Sequence, residues 1–171
     1  MENIKKKQKR VFVMSGIPGS GKSTWIIQQM KPLTDVCISR DNIRFCLLKS
    51  DEEDYFAHEN QVKQIFFNSI WKSTSNENWD NIFIDATHLT PRARNSVMQH
   101  IDEDCYCIAV DFNINLTTAL ERNAKRSGRA LVPEDAIIRM YGQYIAPTFR
   151  EKFDEIWHIN DAGELRKEIR E

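Results

Sequence analysis

Short, dense apolar runs alternate along this chain with longer stretches in which apolar residues recur every three or four positions. The first run, VFVM at 11–14, is too short for a helix and lacks polar alternation, which predicts a strand buried on both faces. A glycine-rich octet follows, then a helix over about 21 to 31 that Pro32 closes. DVCIS (35–39) predicts the second strand and RDNIRFCLL a short helix after it. Residues 54–74 predict a long helix with Tyr55, Val62, Phe66 and Ile70 near one face.

NIFID (81–85) predicts the third strand, and Pro91 suits the first turn of the next helix. CYCIAVDF (105–112) predicts the fourth strand, followed by a helix over about 116 to 126. SGRALVP then breaks the pattern, and Pro133, Glu134 and Asp135 open another helix, where acidic residues favour the dipole. EIWHI (155–159) predicts a fifth strand, and a charged helix is expected to finish the chain. Strand and helix alternate five times, which implies an α/β fold: a five-stranded parallel sheet with helices on both faces.

Length and composition keep this picture and narrow it. The 171 residues suit one domain over 1–171, with a basic tail at 1–10, and no internal repeat or low-complexity block interrupts them. With 41% hydrophobic and 29% charged residues, the chain reads as soluble and globular. No apolar run approaches the roughly 18 residues of a membrane span. The N-terminus MENIKKKQKR carries no apolar signal core, so a cytoplasmic setting is expected. A net charge of −1 argues against coating duplex DNA by bulk charge, although a local basic site stays open. Cys37, Cys46, Cys105 and Cys107 form neither a disulfide framework nor a CxxC zinc pair and read as reduced thiols.

The octet GIPGSGKS changes the picture most. It satisfies GxxxxGK[ST] in full, between a predicted strand and a predicted helix as that motif requires. Gly16, Pro18, Gly19, Ser20 and Gly21 would turn backbone N–H groups toward phosphate oxygens at a helix start, continuing into Ser23 and Thr24. Lys22 would neutralise the β- and γ-phosphates of ATP, and Ser23 would ligate Mg²⁺. Asp85, closing the apolar strand NIFI, is the natural second metal ligand.

The rest of the chain must name the phosphate acceptor. No NKxD stretch points to a GTPase. The basic, turn-rich segment ERNAKRSGRALVP (lid at about 122–133) suits a phosphotransferase that closes over its substrates to exclude water. Arg122, Arg126 and Arg129 would line one face if the helix ran that far, but Gly128 is placed to end it. These arginines either stabilise the transferred phosphoryl group, Arg126 foremost, or form a solvated basic face with Lys125. In SRDNIR, Asp41 could take the proton of an attacking hydroxyl and Arg44 could hold an acceptor phosphate; the pair could equally support a helix start.

GIPGSGKSTW, SRDNIR, DATHLTPRAR and ERNAKRSGRALVPEDAIIRMY occur in that order over about residues 11 to 145. Together they resemble the kinase domain of the bacteriophage polynucleotide 5′-kinase family and its P-loop relatives. The resemblance implies an adenylate-kinase-like sheet with an arginine-bearing lid and a tunnel for a nucleic-acid end. It also implies Asp41 as general base, Arg44 as clamp on the acceptor's 3′-phosphate, and Arg122 and Arg126 on the ATP phosphates. The sequence departs from the family pattern where Ala86 holds the place of the acid and His88 that of an asparagine. The phosphatase motif DxDGT does not occur, so the expected end chemistry is phosphorylation.

Further residues carry two readings each. His88 would contact an acceptor phosphate or hold its own loop, and Arg92 and Arg94 would border the acceptor path or sit as exposed helix charges. Trp25 and Phe45 would stack on a terminal base or pack in the core. By fold analogy, the adenine pocket is expected around Asn160 and Asp161. The expected activity is ATP- and Mg²⁺-dependent phosphorylation of the 5′-hydroxyl of DNA or RNA, with nucleic-acid ends as partners and no membrane. The alternatives are a kinase of a small-molecule hydroxyl, such as a nucleoside, sugar, antibiotic or zeta-toxin-like nucleotide sugar, and a regulatory nucleotide-binding module.

Overall fold

The computed structural model describes residues 8–50 and 54–171. Most of the expected basic tail, through Lys7, therefore lies outside the described residues. The elements follow in the order β1 (Arg10–Ser15), α1 (Lys22–Gln29), β2 (Asp35–Ser39), α2 (Arg40–Leu47), α3 (Glu59–Ser75), β3 (Asn81–Asp85) and α4 (Pro91–Met98). Then come β4 (Tyr106–Phe112), α5 (Leu116–Ala124), α6 (Glu134–Gln143), β5 (Glu155–Ile159) and β6 (Leu165–Ile169). Two 3₁₀ turns, Gly128–Ala130 and Phe149–Glu151, flank α6.

The sheet runs β2-β3-β1-β4-β5-β6, and its first five strands are parallel. Period-two alternation sends neighbouring residues of β1 to opposite faces. Val11 and Val13 join Phe66 and Ile70 of α3 and Val97 of α4. Phe12 and Met14 join Ile26 of α1 and Trp157 of β5. Every strand is thus covered where its apolar run demands it, and the fold is the α/β, helix-flanked, parallel-dominated sheet that the alternation implies. Because β3 and β4 flank β1 on opposite sides, the loop after β1 opens at a crevice beyond the carboxyl ends of the strands.

The end of the chain differs from expectation. Residues Leu165–Ile169 form not a charged helix but an antiparallel edge strand against β5. Asn160 makes the hairpin: its side-chain oxygen accepts from the Ala162 and Glu164 N–H groups, and Gly163 takes φ 80°. Lys167 then lies over the Trp157 ring at 3.7 Å, so its charge covers apolar surface while the strand's alternate residues stay wet. The long helix also starts later than expected, at Glu59, which leaves Tyr55 in the turn before it while Val62, Phe66 and Ile70 are buried as expected. Among the described residues, no helix is long and apolar enough to cross a membrane.

Arg94 corrects the reading of an exposed helix charge. It is fully buried, and Glu151 accepts from its Nε at 2.7 Å and its Nη2 at 2.9 Å. Its remaining donors go to the carbonyls of His88, Ile145 and Ala146 and to the Ser15 hydroxyl. This satisfied network ties α4 to the segment after α6 and to the strand end that precedes the glycine loop.

Candidate active site

The loop between β1 and α1 is shaped by its contact with α5. A Cβ at Gly19, where φ is 82°, would stand 2.3 Å from the Ala119 carbonyl oxygen. No other residue fits there, because both the backbone angle and the space exclude a side chain. Gly21, at φ 100°, turns the chain into α1. Pro18 is half-buried on the loop, Ser20 is buried within it, and Thr24 is exposed one step along the helix.

Lys22 is buried and donates to the Gly16 and Ile17 carbonyls, each at 2.8 Å, and to the Ser20 hydroxyl at 3.2 Å. Burial lowers its pKa to about 8, with Asp85 and Asp41 pulling it up and Arg126 pushing it down. Ser23 donates its hydroxyl to Asp85 Oδ2 at 3.0 Å. Burial raises the Asp85 carboxyl above its ordinary range; Lys22 and Ser23 oppose the rise, and Asp41 adds to it. These hard oxygen donors, side by side next to the lysine, suit Mg²⁺, which takes its remaining ligands from phosphates and water.

Across the crevice, α2 carries Asp41 in its first turn, capped by the Ser39 side chain accepting from the Asn42 N–H. Asp41 is largely exposed, whereas Arg44 is only 5% exposed. Arg44 Nη1 and the Tyr55 hydroxyl both donate to Asp41 Oδ1, which leaves Oδ2 for another partner. Arg44 Nη1 also reaches Tyr55 Oη at 3.0 Å, and its Nη2 donates to Glu59 at 2.8 Å. Its guanidinium lies over the Tyr55 ring at 4.6 Å. As placed, Arg44 spends its fork on Asp41 and Glu59, so it orients the carboxylate rather than offering a free clamp. Arg40, whose buried Nε has no partner, also pairs with Glu59 and stands nearer solvent.

Arg122 in the last turn of α5 and Arg126 and Arg129 beyond it part company because the helix ends at Ala124, before the stripe is complete. Arg122 turns to the loop's outer side, donating to the Ser20 carbonyl at 3.3 Å and the Asp161 carbonyl at 3.2 Å. Arg126 donates to the Ala130 carbonyl at 3.5 Å, and its charge acts on both Lys22 and Asp85. Arg129 crosses to α2's end and donates to the Ser50 carbonyl.

His88 lies inside, 6% exposed, at φ 39°. Its Nδ1 is 2.8 Å from the Met14 carbonyl oxygen, which requires a proton on Nδ1. Burial lowers its pKa to about 4, against the pull of that hydrogen bond. The ring is neutral at physiological pH, and its buried, unpartnered Nε2 is an acceptor. In this structure the Met14 bond and the burial place His88 in its loop-holding reading.

Trp25 likewise packs edge-on against Phe83, Phe112 and Trp157. Its half-buried edge borders a cleft of about 370 Å³, which Thr24, Gln28, Arg122, Asn160 and Asp161 also line. This cleft stands where the adenine pocket is expected. The sequence reading missed Tyr55, Glu59 and Arg40 as a supporting shell; the first two sit on a segment otherwise read as core helix, and Arg40 stands beside Asp41 in SRDNIR.

The AAA_33 family model, described as an AAA domain, matches residues 11–147. Among solved structures, one in the Pnkp1/Rnl/Hen1 RNA repair complex matches with TM-score 0.67 and 23% identity over 84% of this chain. This chain spans only 46% of that one. The PezAT chromosomal toxin–antitoxin system of Streptococcus pneumoniae gives TM-score 0.59 at 15% identity, covering 94% of this chain and 72% of that one. A gluconokinase from Sinorhizobium meliloti gives TM-score 0.56 at 13% identity, covering 92% and 85%. At these identities the likeness is one of fold. No curated protein matches the chain.

Proposed function

The chain belongs to the AAA_33 family of P-loop kinases, and from that premise we propose that it transfers the γ-phosphate of ATP to the 5′-hydroxyl end of DNA or RNA. The observation that carries the phosphotransfer reading is the meeting of Lys22, Ser23, Asp85 and Arg126 with the Asp41 carboxylate across one crevice. The nucleic-acid acceptor rests on the ordered likeness of the four motifs to the polynucleotide kinase family, supported by the fold match to a chain of an RNA repair complex.

In this reading, Asp41 Oδ2 accepts the proton of the acceptor hydroxyl. The freed oxygen forms a bond to the γ-phosphorus in line with the breaking bond to the β,γ-bridging oxygen, and ADP leaves with that electron pair. Arg44 and Tyr55 hold the carboxylate by its other oxygen, so its approach angle is set before substrate arrives. Lys22 and Arg126 offset charge on the transferred group from two sides. Ser23 and Asp85 would hold Mg²⁺, which supplies charge neutralisation at the phosphate oxygens.

Asp41→Asn keeps the shape but removes the base. Its turnover is expected to fall by about 10²–10⁴-fold, with ATP affinity kept within a few fold. Near-normal turnover in that variant would remove Asp41 from the role of base.

A further inference from the structure

Helical spacing puts Asp41 and Phe45 on the same face of α2, just over one turn apart, or about 6 Å along the axis. Phe45 is 37% exposed, yet its ring is held from behind by a T-shaped contact with Tyr55 at 6.2 Å. Tyr55 in turn meets Phe56 edge-on at 4.9 Å. A large aromatic face is therefore exposed and immobilised beside the proposed base.

That face opens on a pocket of about 480 Å³ lined also by Leu48, Lys49, Ser50, Arg129 and Ala130. The pocket has two walls from different elements: the end of α2 supplies Phe45 and Leu48, and the lid supplies Arg129 and Ala130. Arg129, donating to the Ser50 carbonyl, ties one wall to the other. Flat apolar surface with a planar guanidinium nearby suits a nucleobase, whose faces stack on aromatic rings and on arginine alike.

We propose that this pocket is a nucleobase subsite in which Phe45 receives the face of the acceptor strand's 5′-terminal base. The rise of about 6 Å between Asp41 and Phe45 is of the order of the separation of a 5′-oxygen from its own base. The subsite rests on the polynucleotide reading and deepens it: the enzyme grips the terminal nucleoside by its base as well as by its backbone. Stacking is tolerant of base identity, so the subsite would favour any stacked terminal base over none.

The test compares two 5′-hydroxyl oligonucleotides, identical except that one has an abasic terminal nucleotide. Wild-type protein is expected to show a KM roughly tenfold higher for the abasic strand, the order of effect of one base–aromatic stack. In Phe45→Ala that ratio should fall to about one, with KM for ATP unchanged, and in Phe45→Trp it should return. Taking a ratio cancels any disturbance of Asp41 through Tyr55. An unchanged ratio in Phe45→Ala, or no discrimination by the wild type, would overturn the subsite and leave the kinase reading standing. Transfer to neither strand would overturn both.

Discussion

Lys22 lies folded into its own loop, satisfied by two carbonyls and a hydroxyl, yet burial still brings its pKa down to about 8. The sign of its pH dependence follows. Between about pH 8 and 10.5 the free site is largely neutral while an unfolded lysine stays charged, so this group's contribution to stability rises with pH across that window. A bound triphosphate acts the other way, drawing the proton back onto Lys22. At pH 9, ATP binding should therefore take up a proton, and affinity should decline as pH rises through 8. Titration calorimetry in two buffers of different ionisation heat reads the uptake directly; identical heats in both would contradict it. The loop motif made Lys22 and Ser23 legible in sequence because a strand, a tight turn and a helix start fix their backbone together, and Asp85 was legible as the close of an apolar strand. His88 and Arg94 were not legible, since nothing local distinguishes a buried polar side chain from an exposed one. Their partners, Met14 and Glu151, lie 74 and 57 residues away.

At the scale of elements, α5 does two things at once. Its Ala119 presses on the glycine loop, and its buried Asn123 clasps the far end of the lid, donating to the Val132 carbonyl at 2.8 Å and accepting from its N–H at 3.1 Å. The segment from Asn123 to Val132 is thus a loop closed at its base, with Arg126 on it and Arg129 reaching the Ser50 carbonyl beyond α2. Asn123→Ala would leave both Val132 groups short of a partner, a loss of about 1–3 kcal/mol in chemical unfolding. Turnover should fall further than that loss explains, because Arg126 is no longer held near the transferred phosphate. A variant with normal turnover and normal stability would show that the clasp does not position the lid. The irregular loop at this segment was readable from its turn residues. The separate destinations of Arg122, Arg126 and Arg129 were not, because they depend on the helix stopping at Ala124. The terminal strand β6 escaped for a related reason: LRKEI is charged enough for a helix and alternating enough for a strand, and pairing with β5 decided it.

Across the whole molecule, the parallel sheet sets every chemical group at one end. The loop after β1, Asp41 after β2, Asp85 ending β3 and Asn160 after β5 all stand beyond the strands' carboxyl ends, where such sheets bind ligands. The parallel α/β class was legible because five apolar runs alternate with helices, whereas the strand order came only with the structure. The fold does not name the acceptor, since a gluconokinase shares it. The most direct test of the central claim is therefore transfer from γ-labelled ATP to a matched panel of 5′-hydroxyl DNA and RNA oligonucleotides, free nucleosides and sugars. Label on the oligonucleotides, lost in Asp41→Asn, is the expected result. Label confined to nucleosides or sugars, with none on any oligonucleotide, would contradict the account.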